Sequence, residues 1–140
     1  MKLPFTGGCA CGAIRYECTA EPLAMFQCHC RDCQHASGGA CSYVVLVPAS
    51  SFKFTRGAPR YHFTASASFG HHKRGFCPEC GSRLTGGENR EGTSGKVGIN
   101  AGSLDDPNWF RAQFDIFTTE AQPWDPTDPA IPKYEKYPPA

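Results

Sequence analysis

Short runs in which apolar and polar residues alternate make up most of this chain, and turn residues separate them. The 140 residues include 15 glycines and 12 prolines, so few windows could hold ten helical residues without one of these breakers. Alternation with a period of two between turns is typical of β-strands. The pattern predicts eight strands, at residues 13–18, 23–28, 42–47, 52–55, 61–63, 71–76, 96–100 and 113–117.

Two segments depart from the strand pattern. Residues 34–37, directly after Cys33, predict one short helical turn that Gly38 and Gly39 would end. Residues 86–95 are polar, rich in glycine and without an apolar period, and they predict an exposed, mobile loop. The fold class that follows is all-β, a small β-sheet domain with short helical turns.

A proline-rich tail, residues 123–140, ends the chain. Six prolines fall in these 18 residues, which argues against regular structure. The tail either is partly disordered or drapes over the domain, anchored by Trp124, Ile131, Tyr134 and Tyr137. The length suits one domain and no internal repeat is visible, so residues 1–140 are expected to form a single domain that includes the tail.

Charge and hydropathy argue against two classes of protein. The chain has 14 basic and 13 acidic residues and a net charge of +1, whereas binding to duplex nucleic acid usually leaves a strongly basic surface. The longest apolar run, residues 43–47, is far shorter than the roughly 20 residues of a membrane-spanning helix. Residues 1–6 contain no apolar stretch of signal-peptide length, and we expect a cytoplasmic protein.

Nine cysteines are an unusual number for such a chain. Disulfides are rare in the cytoplasm, and an odd number of cysteines cannot all pair within one chain. Seven cysteines fall into three clusters and two stand apart: Cys9 and Cys11; Cys28, Cys30 and Cys33; Cys77 and Cys80; and the separate Cys18 and Cys41.

The pair Cys77 and Cys80 predicts a zinc knuckle. Thiolates on Zn²⁺ lie about 2.3 Å from the metal, and a tight turn with two intervening residues brings both sulfurs to one point. Pro78 presets the backbone of that turn, and Gly81 can adopt a positive φ that lets N–H groups approach the sulfurs.

A closed structural site needs two more ligands than a knuckle supplies, and Cys9 and Cys11 offer them. Residues two apart in an extended segment point the same way, so both sulfurs can face one ion. The four thiolates would then form a closed tetrahedral site that joins the start of the chain to residue 80.

The middle cluster, Cys28, Cys30 and Cys33, offers three local ligands. Three protein ligands with an open fourth position are the arrangement of catalytic zinc. The spacing alone also allows an ordinary four-cysteine site in which nothing is open. Cys18 and Cys41 are expected to be small buried residues, with a role as the fourth ligand of this site as the alternative.

The histidines are less informative than the cysteines. His29, between two expected ligands, would point away from the metal in a regular strand. His35 is a candidate for the wall of a pocket beside the open zinc. The other three, His62, His71 and His72, are expected on strand surfaces.

The three clusters together resemble the glutathione-dependent formaldehyde-activating enzyme family, which includes centromere protein V. Their order is Cys-x-Cys-Gly at residues 9–12, Cys-His-Cys-x-x-Cys at 28–33 and Phe-Cys-Pro-x-Cys-Gly-Ser at 76–82. Further matches are Ser-Gly at residues 37–38 and Gly-Ser-Leu-Asp-Asp-Pro at residues 102–107.

The resemblance implies an all-β fold stapled by zinc, with two ions per chain. Cys9, Cys11, Cys77 and Cys80 would hold the structural zinc, and the catalytic residues Cys28, Cys30 and Cys33 would hold the second ion. The implied activity is that of a carbon–sulfur lyase, which condenses glutathione with formaldehyde to S-hydroxymethylglutathione or reverses that reaction.

The implied partner is a small thiol such as glutathione, with no nucleic acid and no membrane. A thiol bound to an open zinc loses its proton readily, and the carboxylates of glutathione could meet Arg31, Arg60, Lys73 or Arg74. Two other hypotheses stay open. One is a non-catalytic zinc module that binds a protein or nucleic acid, and the other is a thiol redox or metal-buffering protein.

Overall fold

The computed structural model describes residues 1–66, 70–89 and 94–139, and it confirms a mostly β fold with short helices. One α-helix, α1, spans Arg31–Ser37, and single 3₁₀ turns lie at Ala49–Ser51, Ala101–Ser103, Pro107–Trp109 and Thr118–Glu120. The strands are β1 Phe5–Gly8, β2 Arg15–Cys18, β3 Ala24–Cys28, β4 Ser42–Pro48, β5 Phe52–Arg56, β6 Arg60–Ser66, β7 Gly70–Phe76, β8 Arg83–Asn89, β9 Lys96–Asn100 and β10 Phe114–Ile116.

The strands form two sheets. A seven-stranded sheet has the order β10-β3-β4-β9-β8-β7-β6, and a three-stranded sheet has the order β1-β2-β5. The pair β10–β3 is parallel, and the neighbouring pairs β3–β4 and β4–β9 are antiparallel. The largest core cluster contains Tyr16 from the small sheet and Val45, Leu84 and Ile99 from the large one, so the apolar faces of the two sheets share one core.

All eight predicted strands are present, and the structure adds β1 and β8. The loop prediction for residues 86–95 is wrong where it overlaps β8, because Gly86 pairs with Gly98 of β9. A Cβ at Gly98 would lie only 2.8 Å from the carbonyl oxygen of Gly86, so glycine lets these strands approach closely. Residues 90–93 of that prediction lie outside the described residues.

Helix α1 begins three residues before the predicted helical turn. Its N-cap is Cys30, whose sulfur accepts a hydrogen bond from the backbone N–H of Cys33 at 3.3 Å. Gly38 ends the helix with φ of 72°, as the sequence predicted. The consequence is that Cys33 lies inside the helix and not before it.

The tail lies against the domain through its tyrosines. The ring of Tyr134 packs on Phe114 with centroids 5.8 Å apart, and that of Tyr137 packs on Phe117 at 5.1 Å. Ile131 is half-buried. Trp124, however, is 66% exposed, and its prediction as an anchor is wrong. Within the described residues, no helix combines the length and the apolar character that crossing a membrane requires.

Candidate metal centres

Four cysteines from two segments far apart in the chain meet at one point, and we call them the quartet. Cys9 and Cys11 follow β1, and Cys77 and Cys80 follow β7. The four sulfurs all lie within 4.8 Å of one another, with Cys9 and Cys11 sulfurs 3.6 Å apart and Cys11 and Cys77 sulfurs 3.8 Å apart. Sulfurs around a tetrahedral zinc are about 3.8 Å apart at a Zn–S distance of about 2.3 Å. The quartet therefore fits a zinc ion.

The backbone around the quartet is arranged to support thiolates. Gly81 has φ of 77°, as predicted, and its N–H closes the turn on the carbonyl oxygen of Cys77 at 2.8 Å. The N–H of Ile14 donates to the sulfur of Cys9 at 3.2 Å. Hydrogen bonds from the side chain and backbone of Ser82 lower the pKa of Cys80 to about 5. These hydrogen bonds favour the deprotonated form of Cys80, the form that a metal ligand needs.

The other three clustered cysteines, which we call the trio, meet where β3 passes into α1. Cys28 is the last residue of β3, Cys30 caps the helix, and Cys33 lies in the first helical turn. Their sulfurs lie within 4.8 Å of one another, and those of Cys28 and Cys30 are 3.5 Å apart. The passage from the end of a strand to the start of a helix therefore brings three thiols together within six residues.

Electrostatics concentrates negative charge on one member of the trio. Hydrogen bonds from Cys28 and Cys30 lower the pKa of Cys33 to about 2, and the nearby charge of Arg74 acts in the same direction. The same hydrogen bonds raise the pKa of Cys28. A cluster that already stabilises one thiolate is suited to a cation with soft ligands.

No fourth cysteine, histidine, aspartate or glutamate joins the trio among the described residues. Cys18 is fully buried, with its sulfur 3.4 Å from the hydroxyl of Ser51. Cys41 is also buried, and burial is the main cause that raises its pKa to about 11. The expectation that both are small buried residues is confirmed, and the alternative of either as a fourth ligand finds no support.

All three cysteines of the trio line a cavity of about 520 Å³, which we call the main cavity. Its apolar wall comes from both strands of the parallel pair and from β4. Its charged and polar wall comes from α1, β7, β9 and the last 3₁₀ turn. The lining includes Phe26, Val44, Leu46, Phe114, Ile116, Asp32, His72, Arg74, Lys96 and Glu120.

Two histidine predictions are wrong. His35 is exposed, near Arg31, and does not line the main cavity. His72 lines it instead of the strand surface, because it lies two residues from Arg74 and shares that face of β7. His62 is exposed as predicted, and the side chain of His71 lies outside what the structure describes.

His72 is held neutral in the cavity wall. Its Nε2 accepts a hydrogen bond from the N–H of Gly87 at 2.7 Å, so the ring proton sits on Nδ1. Burial, aided by the charge of Arg74, lowers its pKa to about 4. A base or acid for chemistry near neutral pH needs a pKa closer to 7, and His72 is therefore poorly suited to either role.

Replacing His72 with glutamine is expected to reduce the pH dependence of stability. Between its ordinary pKa of 6.5 and about 4, the unfolded chain binds a proton on His72 that the folded chain does not bind. The free energy of unfolding therefore falls as the pH drops through this window, by up to about 2 kcal/mol for a partly exposed ring. Glutamine keeps an acceptor for Gly87 and does not titrate.

The measurement is urea denaturation of both proteins across this pH window. The matched control is His62→Gln, which changes an exposed histidine on the adjacent strand and should follow the wild type. Parallel stability curves for wild type and His72→Gln would contradict the prediction.

The ring of His29 points away from the trio, as predicted, into a buried ionic cluster. Its Nε2 lies 2.8 Å from Oδ1 of Asp115, and its Nδ1 lies 2.5 Å from Oδ2 of Asp125. The ammonium of Lys133 donates to the second oxygen of Asp115 at 2.7 Å. Because a carboxylate oxygen lies within hydrogen-bond distance of each ring nitrogen, this cluster fixes the orientation of the imidazole and of the backbone between Cys28 and Cys30.

Sequence reasoning missed both aspartates of this cluster. They lie 86 and 96 residues from His29 along the chain, and no local pattern marks them. One of them, Asp115, lies in β10, which pairs with β3, and the other lies in the tail. Only the parallel pairing and the docking of the tail bring them to the histidine.

Replacing Asp115 with alanine is expected to lower the free energy of unfolding by about 3–5 kcal/mol, the cost of breaking a buried ion pair from one side. His29 and Lys133 would each lose a carboxylate. Urea denaturation tests this, with Asp106→Asn as control because asparagine keeps the oxygen that caps the turn at Asn108. Equal losses in both variants would show that the buried cluster contributes no special stability.

Comparison with known proteins agrees with this geometry. A family model described as glutathione-dependent formaldehyde-activating enzyme matches residues 4–120, a segment that contains both the quartet and the trio. A crystal structure of a Rhodobacter sphaeroides protein, a structural-genomics target, superposes with a TM-score of 0.57 at 18% sequence identity. The alignment covers 91% of this chain and 98% of that chain, and it shows that the two share a fold.

Proposed function

Because the chain belongs to the glutathione-dependent formaldehyde-activating enzyme family, we propose that it is a zinc-dependent carbon–sulfur lyase that acts on a thiol adduct such as S-hydroxymethylglutathione. One observation carries the proposal: the trio presents three converging sulfurs to a cavity and no fourth protein ligand among the described residues. The proposal includes a single domain, residues 1–140, that works in the cytoplasm.

Two zinc ions with different roles are part of this proposal. The quartet, Cys9, Cys11, Cys77 and Cys80, would hold a structural ion, since its four sulfurs close a tetrahedral site. The trio, Cys28, Cys30 and Cys33, would hold the catalytic ion. An ion held by three thiolates supplies a positive charge that lowers the pKa of a thiol at its fourth position.

The proposed reaction balances without any further reagent. In the direction of synthesis, the thiolate sulfur of glutathione attacks the carbonyl carbon of formaldehyde, a C–S bond forms, and the carbonyl oxygen takes up a proton. In the lyase direction the C–S bond breaks, the hydroxyl loses its proton, and thiol and aldehyde separate. Binding of both reactants in the main cavity would hold them beside the trio and would add the rate advantage of proximity.

The size and the lining of the main cavity suit a small peptide thiol. Its volume of about 520 Å³ falls in the range of roughly 300–1,000 Å³ that is typical of small-molecule sites. Lys96 offers a cation for a carboxylate, and Asp32 and Glu120 offer anions for an ammonium group. The stacked rings of Phe26 and Phe114, 5.3 Å apart, form an apolar wall that limits water near the sulfurs.

Of the four basic residues expected near glutathione, the structure places Arg74 at the cavity. Arg31 bonds to Gln34 on its own helix, and Arg60 is exposed. The ammonium of Lys73 lies over the ring of Tyr61, 4.2 Å from its centre. None of these three lines the main cavity. Lys96, which the sequence analysis did not single out, is instead the second basic residue that lines it, beside Arg74.

Zinc-edge X-ray absorption with and without glutathione tests the proposal directly. The number of sulfur ligands per zinc should rise from about 3.5, the mean of a four-sulfur and a three-sulfur site, to about 4 when glutathione binds. Exchange NMR should show faster interconversion of glutathione and S-hydroxymethylglutathione than in buffer. An unchanged sulfur count together with an unchanged exchange rate would overturn the proposal.

A further inference from the structure

A second, smaller cavity is lined by two arginines; we call it the arginine cavity. It has a volume of about 200 Å³ and lies between the end of α1 and strands β4 and β8. Arg74 of β7 and Arg83 of β8 line it together with Ser37, Ser42 and Asn100. Arg74 also lines the main cavity.

Among the described residues, neither guanidinium group is paired with a carboxylate, and the nearest anion is the thiolate of Cys33. Arg74 is only 5% exposed, and its Nε donates to the hydroxyl of Thr64 at 3.3 Å. The Nε of Arg83 is buried without a hydrogen-bond partner. Within the described part of the chain, no aspartate or glutamate forms an ion pair with either arginine.

Two neighbouring guanidinium charges, one buried and one half-buried, lower the stability of the fold unless an anion neutralises them. Buried charges in proteins are normally paired and hydrogen-bonded, because removing an ion from water costs several kcal/mol. Burial lowers the pKa of Arg83, the neighbouring charge of Arg74 lowers it further, and the thiolate of Cys33 offsets this only as the smallest of the three effects. The fold therefore maintains two positive charges side by side and leaves room beside them.

We propose that Arg74 and Arg83 bind a small oxyanion group, a carboxylate or a phosphate, in the arginine cavity. The planar guanidinium fork matches both groups in a bidentate geometry. The cavity of about 200 Å³ exceeds the roughly 30 Å³ that one water occupies in the liquid, so it accommodates such a group with some of its water. Asn100 and the hydroxyls of Ser37 and Ser42 provide further polar groups at the wall.

Binding of an anion by these two arginines requires neither zinc nor turnover. Its link to catalysis rests on the proposed function: because Arg74 borders both cavities, an anion held there lies next to the trio. A substrate of the trio would then carry an anionic group of its own, and Arg83→Gln would raise KM with little change in kcat.

Isothermal titration calorimetry of the metal-loaded protein with sodium phosphate, and separately with sodium acetate, tests the site. Ionic strength is matched with sodium chloride. We expect saturable binding of at least one of the two anions, and the tighter one identifies the phosphate or carboxylate class. Arg83→Gln should weaken binding by about tenfold to a hundredfold, the value of a hydrogen bond to a charged group.

The matched control is Arg60→Gln, an exposed arginine on the neighbouring strand β6, which should bind like the wild type. If the metal held the anion, Arg83→Gln with the same zinc content would bind it as tightly as the wild type does. That result would overturn the proposal. So would the absence of binding for both anions. Arg83→Met should in addition raise the melting temperature in anion-free buffer, since it removes a half-buried cation whose Nε lacks a hydrogen-bond partner beside the buried Arg74.

Discussion

Replacing Cys77 with serine is expected to unfold the protein. Cys77 is fully buried in the quartet, which joins the chain after β1 to the turn between β7 and β8. A structural zinc contributes about 10–16 kcal/mol in zinc-finger peptides, whereas a whole domain is stable by only about 5–15 kcal/mol. Loss of one of four ligands therefore removes most or all of the stability.

The matched control for this variant is Cys18→Ser. Cys18 is another fully buried thiol, outside both clusters, so its replacement has the same burial cost without the loss of a ligand. We expect Cys18→Ser to keep its zinc and to lose about 0.5–3 kcal/mol. Circular dichroism melts and zinc analysis make the comparison. A Cys77→Ser protein that melts like Cys18→Ser and retains its full zinc content would contradict a structural role for the quartet.

Replacing Cys30 with serine is expected to abolish catalysis and leave the fold intact. The trio has three sulfurs, and with two it cannot hold a zinc ion tightly. Serine is also a good N-cap residue, so it can take over the hydrogen bond from Cys33 that begins α1. The exchange rate should fall by at least about a thousandfold, the effect of losing about 4 kcal/mol of barrier reduction by the metal.

Three measurements separate this result from unfolding. The zinc content should drop by one ion per chain, the melting temperature should stay close to that of the wild type, and the exchange rate should reach the value in buffer. Cys41→Ser, a buried thiol outside the trio, is the control and should keep both its zinc and its activity. Full activity in Cys30→Ser would rule out the trio as the catalytic centre.

The parts of the site that depend on local spacing could be predicted from the sequence. Cys77 and Cys80 are separated by a turn, and the trio by a strand end and a helix start. Cys9 and Cys11 also lie in a turn, which the N–H of Gly12 closes on the carbonyl oxygen of Cys9 at 3.2 Å, so the prediction of an extended segment there is wrong. Each arrangement brings sulfurs together through the backbone geometry of a few residues. The grouping into four and three followed from counting ligands for tetrahedral zinc, and the structure brings together the same two groups.

The strands could be predicted for the same local reason, and the exceptions show its limit. Strand β8 contains two consecutive glycines and has no apolar alternation in its second half, yet it pairs with β7 on one side and β9 on the other. Hydrogen bonds from neighbouring strands override the weak intrinsic preference of glycine. The helix boundary was missed because the cap is a cysteine, a residue type outside the usual N-cap set.

What surrounds the sulfurs was decided by tertiary structure alone. His29 meets Asp115 and Asp125 because strand order and tail docking bring together segments far apart in the chain. His72 lines the main cavity because residues from distant segments, such as Phe114 and Glu120, form other parts of its wall. Residue spacing determines which ligand atoms one short segment can bring together. The residues that surround that segment depend on the order of strands in the sheet, which no local pattern encodes.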